Sequence, residues 1–167
     1  ILEDLGYEID LSLVADSDFS ADGGPDFSDI DCHPRWSDAG RRLLRIPHTV
    51  AHVGLLCRDG FPIFRLNGGG MAGALHLPGI LARCGAARRL RLSPEGSSLR
   101  DMRRLTKCLF RSGVRVFMLS FHSPSLEAGH TPYVRSQEDL ETFMGALDGY
   151  LKYFRDELGG QFSTPHE

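Results

Sequence analysis

Between Leu90 and Leu158 the sequence changes its hydrophobic period three times, and this alternation limits the folds open to the chain more than any other feature. "RRLRLSPEG" predicts a short strand, Leu90 to Ser93, followed by a loop. Ser98 then stands as a helix N-cap with Asp101 at the third helical position. Leu99, Met102, Leu105 and Leu109 follow on one face, and Gly113 supplies a stop. Val114, Val116, Phe117, Met118, Leu119 and Phe121 predict a second strand over 114–121, apolar enough to be covered on both faces. Ser136 and Asp139 repeat the capping pattern before a second amphipathic helix, which carries Leu140, Phe143, Met144, Leu147, Leu151, Phe154 and Leu158 and ends at Gly159 and Gly160. Strands separated by single amphipathic helices predict parallel pairing and a β/α architecture.

The first half is less regular. "YEIDLSLVAD", residues 7–16, alternates Ile9, Leu11 and Leu13 as a strand does. The next twenty residues are rich in Asp, Ser, Gly and Pro and form a long loop, for which Phe19, Phe27 and Trp36 are anchors that predict order. "RLLRIPHTVAHV", residues 42–53, reads as a strand interrupted by Pro47, which suits an edge or bulge. Residues 72–86 read as a helix limited by Pro78. No solenoid-length repeat and no domain boundary is visible, so 1–167 reads as part of one domain. The opening on Ile1, with "LEDLGYEI" resembling a helix end followed by a strand, predicts a segment of a longer protein.

Composition narrows the function classes. At 167 residues, 41% hydrophobic and 25% charged, the chain has the make-up of a globular protein. No window approaches the roughly 18 apolar residues of a membrane span, and the start has neither the basic nor the apolar region of a signal peptide. Cys32, Cys57, Cys84 and Cys108 form no CxxC pair, which argues against a structural zinc site and favours free thiols in a reducing, cytoplasmic setting. The net charge of −3 conceals an acidic start, a basic middle and an acidic end. The arginines of the middle are spread over strand, loop and helix with little aromatic interleaving, a pattern of solvated faces rather than of nucleic-acid binding.

The residues with chemistry to offer cluster after the second predicted strand. In "FMLSFHSPSLEAGHTPYV" the chain leaves an apolar run at His122 and enters a loop of small and polar residues. His122 alone fits either a strand-end cap or a proton donor, since a histidine titrates near neutrality. Ser120, Ser123, Ser125, Thr131 and Tyr133 are candidates for sugar hydroxyls, with Tyr133 able to stack on a pyranose face; an ordinary connecting turn is the alternative. His48 and His52 share the i, i+4 spacing of a metal pair, but no third ligand is near in sequence. Ser120 and Ser123 lie close to His122, yet there is no GxSxG elbow. Arg91 and Glu95, flanking "LSP", read as a structural pair.

With these residues in view, the chain resembles the C-terminal part of a polysaccharide deacetylase of the NodB homology family, with members linked to lipopolysaccharide and capsule biosynthesis the nearest in character. The stretches that carry the resemblance are "LGYEIDLSL", "DGGPDFS", "LRLSPEG" and above all "FMLSFHSPSLEAGHTPYV". It implies an α/β fold, the C-terminal portion of a distorted, incomplete β/α barrel. It implies a metal-dependent hydrolase that removes N-acetyl groups from an amino-sugar polysaccharide or glycolipid precursor. His122 matches the family's late-strand histidine, the general acid. Asp10 in "YEIDLSL" is a candidate supporting carboxylate, with Asp16 a second and a solvated acidic surface the alternative. The family usually has Leu two residues before the histidine; here Ser120 stands there, beside the acetyl group in this reading. The divalent metal, zinc foremost, would be held by a paired-Asp motif and a His-x-x-x-His pair that lie earlier in the family's chain and are absent from this sequence. The 167 residues alone are therefore expected to be inactive. The competing expectation is a non-catalytic carbohydrate-binding or scaffold module derived from the same fold.

Overall fold

The computed structural model describes residues 2–37, 40, 42–54 and 88–164. The helix expected over 72–86 lies outside them. The described chain is mixed α/β: seven short strands in three small sheets, and two main helices.

Strands β1 (Ile9–Asp10), β5 (Leu44–Arg45) and β4 (Arg35–Trp36) form one sheet in the order β1-β5-β4, with β1 parallel and β4 antiparallel to β5. The strand expected over 7–16 is paired only at Ile9–Asp10, with a further single bridge from Val14 to His48. Strands β2 (Ser17–Asp18) and β3 (Asp26–Phe27) pair antiparallel inside the Asp-rich loop. Phe19 and Phe27 meet there edge to face at 6.3 Å, the anchoring their apolar character predicts.

Strands β6 (Val50–Val53) and β7 (Arg88–Arg91) form the third sheet, antiparallel, with Ala51 opposite Leu90 and His52 opposite Arg89. Every residue of β6 is buried, whereas β7 buries only Leu90. Pro47 falls between β5 and β6, in the gap its missing N–H requires.

Helix α1 (Leu99–Arg111) begins as its sequence dictates: Asp101 N–H donates to Ser98 Oγ, and Ser98 donates back to Asp101 Oδ2. Its buried face carries Met102, Leu105, Thr106, Cys108 and Leu109. Helix α2 (Gln137–Lys152) starts with a full capping box between Ser136 and Asp139 and runs on into a π turn, Tyr153–Glu157. The core gathers where α1 covers β6 and β7 and α2 covers α1. Thr106 Oγ donates to Met102 O and accepts from the Tyr150 hydroxyl at 2.8 Å, so this polar contact deep between the helices is satisfied. Burial pushes the Tyr150 hydroxyl up to about 12.

The run 114–121 departs from expectation. It is extended but joins no ladder: Met118 N–H donates to the Thr49 hydroxyl and Ser120 N–H to Leu92 O. The parallel pairing predicted between this run and the preceding strand is reduced to that last bond. Nor is the run covered on both faces, since Val114 is fully buried, Phe117, Met118 and Leu119 are half-buried, and Val116 is 45% exposed. Phe117 and Leu119 pack on the core, and Phe121 meets Phe143 of α2 edge to face at 5.5 Å.

Candidate functional site around His122

The site is built from two loops, one after β7 and one after the extended run. In the first, Glu95 N–H donates to Ser93 Oγ, the Ser97 hydroxyl donates to Arg91 O, and Gly96 takes φ +76°, a conformation open to glycine at little cost. This tight turn sets the Glu95 carboxylate inside the protein, with its side chain 7% exposed.

Three donors converge on that carboxylate from the second loop. His122 N–H reaches Oε1 at 2.9 Å, the Ser125 hydroxyl reaches Oε1 at 2.5 Å, and His122 Nδ1 lies 2.8 Å from Oε2. Desolvation pushes the Glu95 pKa up, but the bonds from Ser125 and His122, with the His122 charge, outweigh it and hold the carboxyl below its ordinary value of 4.5. An ionised carboxylate only accepts, so Nδ1 of His122 is the protonated donor. The opposite edge of the ring is open: the His122 side chain is 67% exposed.

The rest of the loop locks this geometry. Ser125, fully buried, also bonds Thr131 Oγ at 3.0 Å, and Thr131 Oγ accepts from Val134 N–H. That chain of bonds brings the neighbouring Tyr133 ring parallel to the imidazole, within 7° and with centroids 6.4 Å apart.

Two other histidines of the described chain are committed elsewhere. His48 Nδ1 shares a hydrogen bond with Ser120 Oγ at 3.1 Å, and burial, then the charge of Arg91, hold its pKa below 6.5. His52 Nδ1 lies 2.7 Å from Asp16 Oδ2, with both side chains buried and Asp16 in a left-handed backbone conformation, φ +51°. The shared i, i+4 spacing of His48 and His52 therefore leads to two separate pairs. Among the described residues no three His, Cys, Asp or Glu side chains gather as a metal site.

The expected site residues are thus sorted. His122 and Tyr133 come together. Ser123 opens the short 3-10 turn Ser123–Leu126 and is exposed beside His122. Ser120 sits two residues before His122 and is held by His48. The carboxylate that holds His122 is not Asp10: Asp10 Oδ1 accepts from Ser12 N–H and its hydroxyl, and Oδ2 lies 4.0 Å from Arg45. Asp16 pairs with His52 instead. Glu95, expected to pair with Arg91, is the supporting residue. Its sequence signal was its isolation, as the one acidic residue between Asp59 and Asp101 in the basic middle, set in a Ser-Pro-Glu-Gly turn.

No family model matches the chain, and comparison with curated proteins and with solved structures gives no match. Among the described residues no helix is long and apolar enough to cross a membrane.

Proposed function

We propose that the protein is a carbohydrate N-deacetylase, a C–N hydrolase on N-acetylated amino-sugar polysaccharides or glycolipid precursors, in which His122 protonates the departing amine. The observation that carries this reading is the imidazole whose Nδ1–H is fixed on a buried, ionised carboxylate while its other edge faces solvent. Such a ring presents Nε2 as its working atom. As the amide C–N bond breaks, the electron pair goes to nitrogen, which takes the proton from Nε2. The Glu95 carboxylate balances the imidazolium before transfer and keeps the neutral ring in the Nδ1–H form afterwards. Tyr133, stacked on the ring, Ser123, next in the chain, and Ser120, two residues before it and held by His48, are candidate contacts to the sugar and its acetyl group. In the same proposal the chain belongs to an incomplete β/α barrel. A divalent metal there would supply activation of water and polarisation of the carbonyl, but among the described residues no set of side chains gathers to hold one.

The test is acetate release from an N-acetylglucosamine oligomer by the intact natural protein with divalent metal added, since the 167 residues alone are expected to be inactive. His122→Ala is expected to lower turnover by the ~10²–10⁴-fold typical of a lost general acid. Equal turnover by the variant overturns the acid role. Binding of the oligomer without any acetate release favours the carbohydrate-binding module instead.

A further inference from the structure

Ser120 carries a bond that the acid role of His122 does not use. Its hydroxyl shares a hydrogen bond with His48 Nδ1 at 3.1 Å, across 72 residues of sequence. The backbone is fixed at both ends of this bond: His48 N–H donates to Leu13 O, and Ser120 N–H donates to Leu92 O. Both residues are half-buried, which leaves the pair within reach of a ligand. Burial, then the charge of Arg91, hold the His48 pKa below 6.5, so its ring is neutral above that pH. A neutral imidazole has one protonated and one bare ring nitrogen. A bare Nδ1 takes the only proton of the Ser120 hydroxyl, and Oγ then turns nothing but lone pairs toward a ligand.

Ser120 and His122 are two residues apart in extended backbone, His122 having φ −81° and ψ 130°. Side chains two apart in an extended chain point to the same side, so the Ser120 hydroxyl and the imidazole share a face. Protonation of a leaving nitrogen by His122 requires that the nitrogen lone pair point at Nε2. The nitrogen's own N–H then points elsewhere and needs an acceptor. An ester oxygen in the same place has no hydrogen to give, and its lone pair would face that of Ser120 with mutual repulsion.

We infer that Ser120, its proton drawn to His48 Nδ1, accepts the N–H of the scissile amide and so selects N-acetyl over O-acetyl substrates. Ser120 is the specificity-determining contact and His48 its positioning residue. The inference rests on the deacetylase reading and extends it from the bond that breaks to the reason an ester is disfavoured.

The experiment uses the intact natural protein, labelled with ¹⁵N-histidine for NMR and assayed with divalent metal added. Two substrates are compared: an N-acetylglucosamine oligomer, and a glucose oligomer of the same linkage carrying 2-O-acetyl groups. The ring spectrum of His48 is expected to show a bare Nδ1 and a protonated Nε2. Ser120→Ala is expected to lower the amide-to-ester ratio of kcat/KM about tenfold, the effect of one neutral hydrogen bond. His48→Phe, which frees the Ser120 proton to point at the substrate, is expected to lower the same ratio. Should His48→Phe not fold, Ser120→Ala and the ring spectrum decide the matter. A merely structural role moves both substrates alike; an unchanged ratio in Ser120→Ala therefore overturns the inference while the hydrolase reading stands. A protonated His48 Nδ1 in the wild type overturns it too. So does an acetyl group found covalently on Ser120, which would make that residue a nucleophile. Acetate release from neither substrate by the wild type removes the hydrolase reading and the inference together.

Discussion

Glu95 and His122 are 27 residues apart, yet the Glu95 carboxylate accepts both the backbone N–H and the ring Nδ1–H of His122. One buried side chain thereby fixes the position of the histidine and the orientation of its ring. Replacing it separates these two effects. Glu95→Gln keeps a hydrogen-bonding side chain but removes the charge that favours imidazolium. The expected result is a fall in kcat of about tenfold to a hundredfold, at or below the low end of the ~10²–10⁴-fold that a general acid supplies, with the alkaline limb of the pH–rate profile displaced and KM little changed. Glu95→Ala is expected to lower stability by about 2 kcal/mol as well, because it removes the charged acceptor of the fully buried Ser125 hydroxyl. A Gln variant with the wild-type pH profile would show that the carboxylate is only structural.

The histidine of this pair was legible in the sequence and its partner was not, for a physical reason. His122 ends a strongly apolar run, a local signal that survives in one dimension. The carboxylate that meets it depends on how two loops return to each other, and that is set by Gly96, by the β6–β7 register and by the bond of Ser120 to Leu92, none of which is local to His122. Both helices were legible down to their caps, since Ser98–Asp101 and Ser136–Asp139 act within one turn. The run 114–121 was misread as a covered strand because apolar composition alone does not distinguish a laddered strand from an extended segment lying over a helical core.

The acid side of the stability profile follows from Glu95. Its carboxyl is held below 4.5 in the folded protein, so the unfolded chain takes up the proton first as the pH falls. Stability from this group is complete above its unfolded value and is lost progressively below it, until the pH has passed through the lower folded value. Thermal melting between pH 6 and pH 3 is expected to show a steeper fall for the wild type than for Glu95→Gln. Parallel curves would mean that the three bonds to Glu95 contribute nothing measurable.

His48 acts in a higher pH window. Burial and then Arg91 hold it below the ordinary histidine value of 6.5. Above that value the folded and unfolded forms are both neutral and no penalty exists. As the pH drops below 6.5 the unfolded chain is protonated first, and stability declines until the folded pKa is passed. His48→Gln, which can keep a hydrogen bond to Ser120, is expected to flatten the melting temperature across this window while leaving it near the wild-type value at pH 8. A variant that melts lower at every pH by the same amount would trace the effect to packing rather than to protonation.

The two glycines of α2 give opposite expectations from one helix. Both carry the backbone entropy cost of glycine in a helical interior, about 1 kcal/mol relative to alanine. At Gly145 the added methyl meets nothing, so Gly145→Ala is expected to raise stability by up to that amount. At Gly149 the methyl would lie 2.7 Å from Leu99 Cδ2 and 3.6 Å from Cδ1, at the contact between α2 and α1. Leu99 must move, and it packs against the core cluster. The helix-propensity gain is there set against overpacking, which typically costs about 1–3 kcal/mol. Gly149→Ala is accordingly expected to be neutral or destabilising by up to about 2 kcal/mol. Chemical denaturation of the two variants with unchanged m-values checks the contrast, and equal stabilisation by both would show that α1 and α2 do not approach closely at Leu99.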